Sequence, residues 1–112
     1  MIDNYYDIEL IDNVLADSIP FPVTLQASTL KQLQRDKKLP ANITKPLLVS
    51  KFLYSGDEGG FLCWLSFDDR QESDVAIPLT HLTVHRNHPY NKEISRYQKR
   101  RIKKLKKASS IH

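Results

Sequence analysis

Two runs rich in strand-forming residues, "KPLLVSKFLYS" (Lys45–Ser55) and "FLCWLSF" (Phe61–Phe67), are separated by the five residues "GDEGG". Aromatic and branched residues on either side of a glycine-containing polar loop predict a β-hairpin. In the second run Phe61, Cys63, Leu65 and Phe67 alternate with Leu62 and Trp64, so both faces are apolar. A strand that is apolar on both sides is expected at the centre of a sheet, covered twice. The hairpin therefore sets the fold around itself.

The neighbouring segments can be added to it in order. "DNYYDIELIDNVLADS" (Asp3–Ser18) spaces Ile8, Ile11, Val14 and Leu15 as on one face of a helix, with Asp7 and Glu9 near its start. "IPFPVTLQA" (Ile19–Ala27) alternates Phe21, Val23, Leu25 and Ala27; Pro20 and Pro22 lack the N–H that a ladder needs, which predicts an edge strand. Ser28 is read as the cap of a short helix, "TLKQLQRDKKL", closed by Pro40. After the hairpin, "DDRQES" reads as a turn and "DVAIPLTHLTV" as a strand with Val75, Ile77 and Leu79 on one face, interrupted at Pro78. The expectation is one α+β domain: a small curved antiparallel sheet or SH3-like barrel with an N-terminal helix. Curling such a sheet on itself protects its edges. At 112 residues a single core is what the length allows.

"RNHPYNKE" is the expected hinge, dividing a barrel-like unit (1–88) from a last helix (89–112) packed on or extending from it. From Ile94 onward, steps of about 100° place Ile94, Tyr97, Ile102, Leu105 and Ala108 within roughly 140° of arc. Lys92, Arg96, Lys99, Arg100, Lys103, Lys104, Lys106 and Lys107 take the opposite side, and Arg101 alone intrudes on the apolar stripe. Charge is divided just as sharply. Residues 1–85 carry 7 Lys/Arg and 12 Asp/Glu, while residues 86–112 carry 10 and 1, so −5 and +9 give the net +4. Like charges three and four positions apart repel by a few tenths of a kcal/mol each, and almost no acid stands at the spacing that would offset them.

That imbalance points to an anion. The expected function is non-enzymatic binding of nucleic acid, RNA or DNA, through Arg96, Lys99, Arg100, Lys103, Lys104, Lys106 and Lys107, with backbone contacts rather than base reading. Trp64, Tyr54 and Phe52 are candidate stacking platforms on the barrel. Two other anions fit: an acidic membrane surface, and the chain's own Asp3, Asp7, Glu9, Asp12 and Asp17, met within the chain or in a homodimer. An acidic protein is a further candidate partner.

Catalytic signatures are missing from the sequence. There is no G-x-S-x-G, and "GDEGG" sets two acids where a phosphate loop would need bare amides. His81, His85 and His88 lack the accompanying ligands of a zinc site and read as surface residues at a strand end. The single cysteine, Cys63, sits between Leu62 and Trp64, which suggests a buried thiol in a reducing compartment. The acidic N-terminal stretch has neither a signal-peptide pattern nor a membrane-spanning run, so a cytoplasmic location is expected.

"FPVTLQA", the hairpin, "FLCWLSF" and the late "VAIPLTHL" occur in an order that resembles the small cyanobacterial calcium-binding, CcbP-like, family. Its members share an F-P-F-like segment and a "VPLSQL"-like strand, and the similarity covers Tyr5 to about Val84. The resemblance implies an SH3-like barrel. It also makes calcium a candidate cofactor, with Asp57, Glu58, Asp68 and Asp69 in the two turns as candidate ligands; a calcium-binding or protein-interaction module is thus the alternative function.

Overall fold

A computed structural model describes residues 2–39, 46–68, 71–72 and 76–110. Helix α1 (Tyr5–Ser18) begins where the Asn4 side chain accepts the Asp7 N–H at 2.7 Å, an N-cap. It buries Ile11, Val14 and Leu15, one stripe at helical spacing. Ile19 ends it in extended conformation ahead of Pro20, as a residue before proline prefers.

Among the described residues six strands form one sheet: β1 (Phe21–Leu25), β2 (Leu47–Tyr54), β3 (Phe61–Asp68), β4 (Gln71–Glu72), β5 (Ile77–Pro78) and β6 (Leu82–Val84). Their order is β4-β3-β2-β1-β6, with β5 also on β3. The β2–β3 hairpin is the longest pairing, running from Leu48 opposite Ser66 to Tyr54 opposite Phe61. The Ser55 N–H and Gly60 C=O close its loop at 2.7 Å. A register shift between Val49 and Lys51 adds the local twist of a bulge. As expected, β3 is flanked on both sides.

The strand expected at Asp74–Val84 is broken into two. After β5 pairs with β3, a 3-10 turn (Leu79–His81) carries the chain across to β1, where β6 pairs Leu82 with Leu25 and Val84 with Val23. That crossing curls the sheet into a half-barrel. It also overturns the edge assignment of β1, which lies between β2 and β6. Pro22 is tolerated because β6 reaches no further than Val23, so on that side no ladder bond is asked of it. Ile77 and Leu79 are buried as expected, and Val75 lies outside the described residues.

Helix α2 (Ala27–Arg35) has its cap two residues before Ser28, the cap expected. Gln26 stands at its N-cap without a side-chain cap, because its amide donates instead to the Thr80 carbonyl at 3.1 Å. Helix α3 (Asn91–Ser110) packs across the 3-10 turn, β6 and α1. Ile94 and Tyr97 join the same core as Leu15, Phe61 and Leu79. The last helix is therefore a layer of the domain rather than an arm.

Candidate functional site

Helix α3 has three sides with different fates. Its inner side carries Ile94 and Tyr97, both buried, and Gln98, whose amide donates to the Leu79 and Leu82 carbonyls at 2.7 and 2.8 Å. Those bonds satisfy carbonyls at the ends of the 3-10 turn and fix the helix in rotation.

The second side faces α1 and is electrostatic. Arg101, the residue that intrudes on the apolar stripe, is buried and donates to Asp3 Oδ2 at 2.8 Å and to the Asp57 carbonyl at 2.7 Å. The same Asp3 oxygen accepts the Tyr54 hydroxyl at 2.9 Å and the Tyr97 hydroxyl at 3.1 Å. Asp57 Oδ1 in turn accepts the Ile2 N–H at 2.8 Å. Gly60 leaves room for this cluster: a Cβ there would stand 2.6 Å from Arg101 Nε, on backbone with φ of +63°. Desolvation, followed by the bond to Asp3, pushes the Tyr54 phenol up to about 12, and burial raises Tyr97 as well. Further along, Arg100 bridges to Asp7 at 2.9 Å and Tyr90 donates to Asp17 at 3.0 Å. These contacts run in opposite directions along the two helices, so α1 and α3 are antiparallel.

The third side is outward. Lys92, Arg96, Lys99, Lys103, Lys106 and Lys107 are exposed there, and Lys104 is half-buried. The only acid of α3, Glu93, is half-buried, and its Oε2 is enclosed without a hydrogen-bond partner among the described residues. Of the seven cations expected to contact nucleic acid, Arg100 is held by Asp7 while its guanidinium stays about half exposed. The expectation that the chain's own acids meet the helix thus holds for Asp3 and Asp7; Glu9 and Asp12 are exposed on the far side of α1. Ile102 and Leu105, expected to be anchored, are each 37% exposed and line an open groove of about 560 Å³ with Gln26, Thr80, His81 and Lys106.

The other candidates among the described residues have partners or positions of their own. Phe52 and Tyr54 pack on Phe61, with ring centroids 6.3 and 4.8 Å away, and Lys51 lies 4.6 Å over the Trp64 ring. These aromatics serve the core and its rim more than a stacking surface. Asp57 is committed to Ile2 and Arg101, Glu58 is exposed, and the Asp68 and Asp69 side chains lie outside the described residues. Among the described residues, no three His, Cys, Asp or Glu side chains come together to hold a metal. His81 and His85 are exposed, whereas His88 packs edge-on against Phe21 at 5.0 Å. Cys63 is buried, with desolvation raising its thiol to about 12, which makes it a poor nucleophile. No helix among the described residues is long and apolar enough to cross a membrane.

The acid–base cluster was signalled by one irregularity, Arg101 on an apolar stripe; nothing in the sequence pairs it with Asp3, 98 positions away. Comparisons with family models, with curated proteins and with solved structures give no match to this chain.

Proposed function

We propose that this protein binds the backbone of a nucleic acid, without catalysis, along the outward side of α3. The observation that carries the reading is the row Lys92, Arg96, Lys99, Lys103 and Lys106, exposed on a helix whose other sides are locked by Ile94, Tyr97, Gln98 and Arg101. Locking matters because a helix fixed in rotation presents its cations together, so binding has only their side chains left to order. From Arg96 to Lys106 the row spans about 15 Å at 1.5 Å per residue. Mutual repulsion among these cations is relieved when phosphates approach, and released counterions drive the association. Cys63, buried and unreactive, suits a reducing compartment such as the cytoplasm.

Five phosphate contacts imply a loss of affinity on the order of a hundred- to several-hundred-fold between about 50 and 200 mM salt. Changing Arg96, Lys99, Lys103 and Lys106 together to glutamine is expected to remove salt-sensitive oligonucleotide binding, measured by fluorescence anisotropy. The unfolding midpoint should stay within a few degrees of wild type, because none of the four is buried. Unchanged binding by this variant, or wild-type protein that retains no oligonucleotide at low salt, would defeat the reading.

A further inference from the structure

A cleft of about 410 Å³ opens where the end of α1, the start of β1 and the turn before α3 meet. Ring walls come from His88 and Tyr90, whose centroids are 6.1 Å apart, and Pro22 and Pro89 add flat apolar surface. Its polar lining includes Asp17, His85 and Asn87. Local bonds hold this wall in place. The Tyr90 hydroxyl donates to Asp17 at 3.0 Å, and Nδ1 of His88 accepts the Tyr90 N–H at 3.0 Å. Nδ1 of His85 accepts the Asn87 N–H at 3.1 Å. With Nδ1 accepting, the neutral form of each ring carries its proton on Nε2. Burial lowers the pKa of His88 from its ordinary 6.5, so its ring is neutral at physiological pH.

A carboxylate in the wall repels phosphate but accepts from an amino group. The flat rings and prolines suit a planar heterocycle, and the volume admits one. Two exposed cations neighbour the lining in sequence: Arg86 lies between the lining residues His85 and Asn87, and Lys92 follows Tyr90 by two positions. We propose that this cleft receives an amino-bearing nucleobase, adenine, cytosine or guanine, from a single strand whose phosphates are held by the α3 row. The proposal rests on the backbone-binding reading and adds to it a place where a base is distinguished. Asp17 is the discriminating acceptor, because uracil and thymine offer a carbonyl where adenine and cytosine offer N–H₂. Tyr90 supplies the stacking face.

Fluorescence anisotropy with oligo(A), oligo(C) and oligo(U), beside heparin as a polyanion without bases, tests this. Wild type should bind oligo(A) and oligo(C) on the order of tenfold tighter than oligo(U). Asp17→Asn, at an exposed position, should erase that preference, since an amide serves as donor and acceptor alike. Tyr90→Leu should weaken all three on the order of tenfold and leave heparin binding unchanged. Equal affinity of the wild type for the three homopolymers, or an Asp17→Asn preference like that of wild type, overturns the cleft while heparin binding keeps the α3 reading intact. Wild type that binds neither the homopolymers nor heparin at low salt overturns both. If Tyr90→Leu fails to fold, Asp17→Asn alone decides.

Discussion

Asp3 and Arg101 show how much one pair of residues can determine. Their side chains are 2% and 3% exposed, and Asp3 Oδ2 accepts from Arg101, Tyr54 and Tyr97 together. A buried ion pair is not by itself a gain over apolar packing, but half of one is costly. Asp3→Ala is therefore expected to destabilise the protein by about 3–5 kcal/mol in urea unfolding, because Arg101 would be left as an uncompensated buried charge. The double variant Asp3→Leu with Arg101→Met should recover much of that loss; no recovery would mean the pair is not the cause. The same cluster predicts an alkaline limit. Tyr54 in the folded state has its pKa raised from 10.0 to about 12 and Tyr97 is raised too, so folding favours their neutral forms. That contribution is complete below pH 10 and is lost as pH rises from about 10 to 12. Cys63, raised from 9.0 to about 12, acts in the same sense. Stability followed by denaturant unfolding should be flat up to about pH 9 and then fall, and Tyr54→Phe should flatten part of the fall. The sequence hinted at this site through the misplaced charge of Arg101. It gave no hint of Asp3, since an aspartate near a chain end looks like any solvated acid until a fold surrounds it.

At the scale of elements, termini and crossings decide more than propensity does. Helix α1 was readable because its cap, its stripe and its proline stop agree. Helix α2 was displaced because a tertiary bond, from the Gln26 amide to the Thr80 carbonyl, outweighs the local preference for Ser28 as a cap. Its far end closes as a Schellman motif: the Lys38 N–H reaches the Leu33 carbonyl at 2.8 Å, with Lys37 at φ of 58°. A lysine in left-handed conformation costs about 1–2 kcal/mol, part of which glycine would return through its larger unfolded-state entropy. Lys37→Gly should thus stabilise by about 0.5–1 kcal/mol, read as a shift in the urea midpoint with unchanged slope; destabilisation would show that this φ is not strained. The single strand expected over Asp74–Val84 became two because Pro78 leads into a 3-10 turn that serves both β3 and β1. Pairing partners of that kind lie far apart in sequence and leave no periodic trace.

For the whole molecule the question is whether α3 is an appendage or a wall. Ile94 and Tyr97 lie in the common core, Gln98 closes the 3-10 turn, and Arg101 joins Asp3, just ahead of α1, to the β2–β3 loop. A chain ending at His88 is expected to lose cooperative unfolding altogether, since Leu79 and Leu82 would be uncovered and Asp3 left without its cation. Circular dichroism with thermal melting checks this; a sharp transition in the truncated chain would show that residues 1–88 fold alone. The same architecture explains why the positive row is presented rather than buried: two arginines are consumed in holding the helix down, and the lysines beyond them point away. Local pattern by itself determined the helices, the hairpin, the central place of β3 and the amphipathic division of the tail, because each depends on spacing within a few turns or strands. Only the tertiary structure decided that β1 is interior, that Arg100 and Arg101 pair with Asp7 and Asp3, and that Asp17, His85 and Tyr90 share one cleft. Those outcomes depend on distances between segments many tens of residues apart, which packing sets and spacing along the chain does not encode.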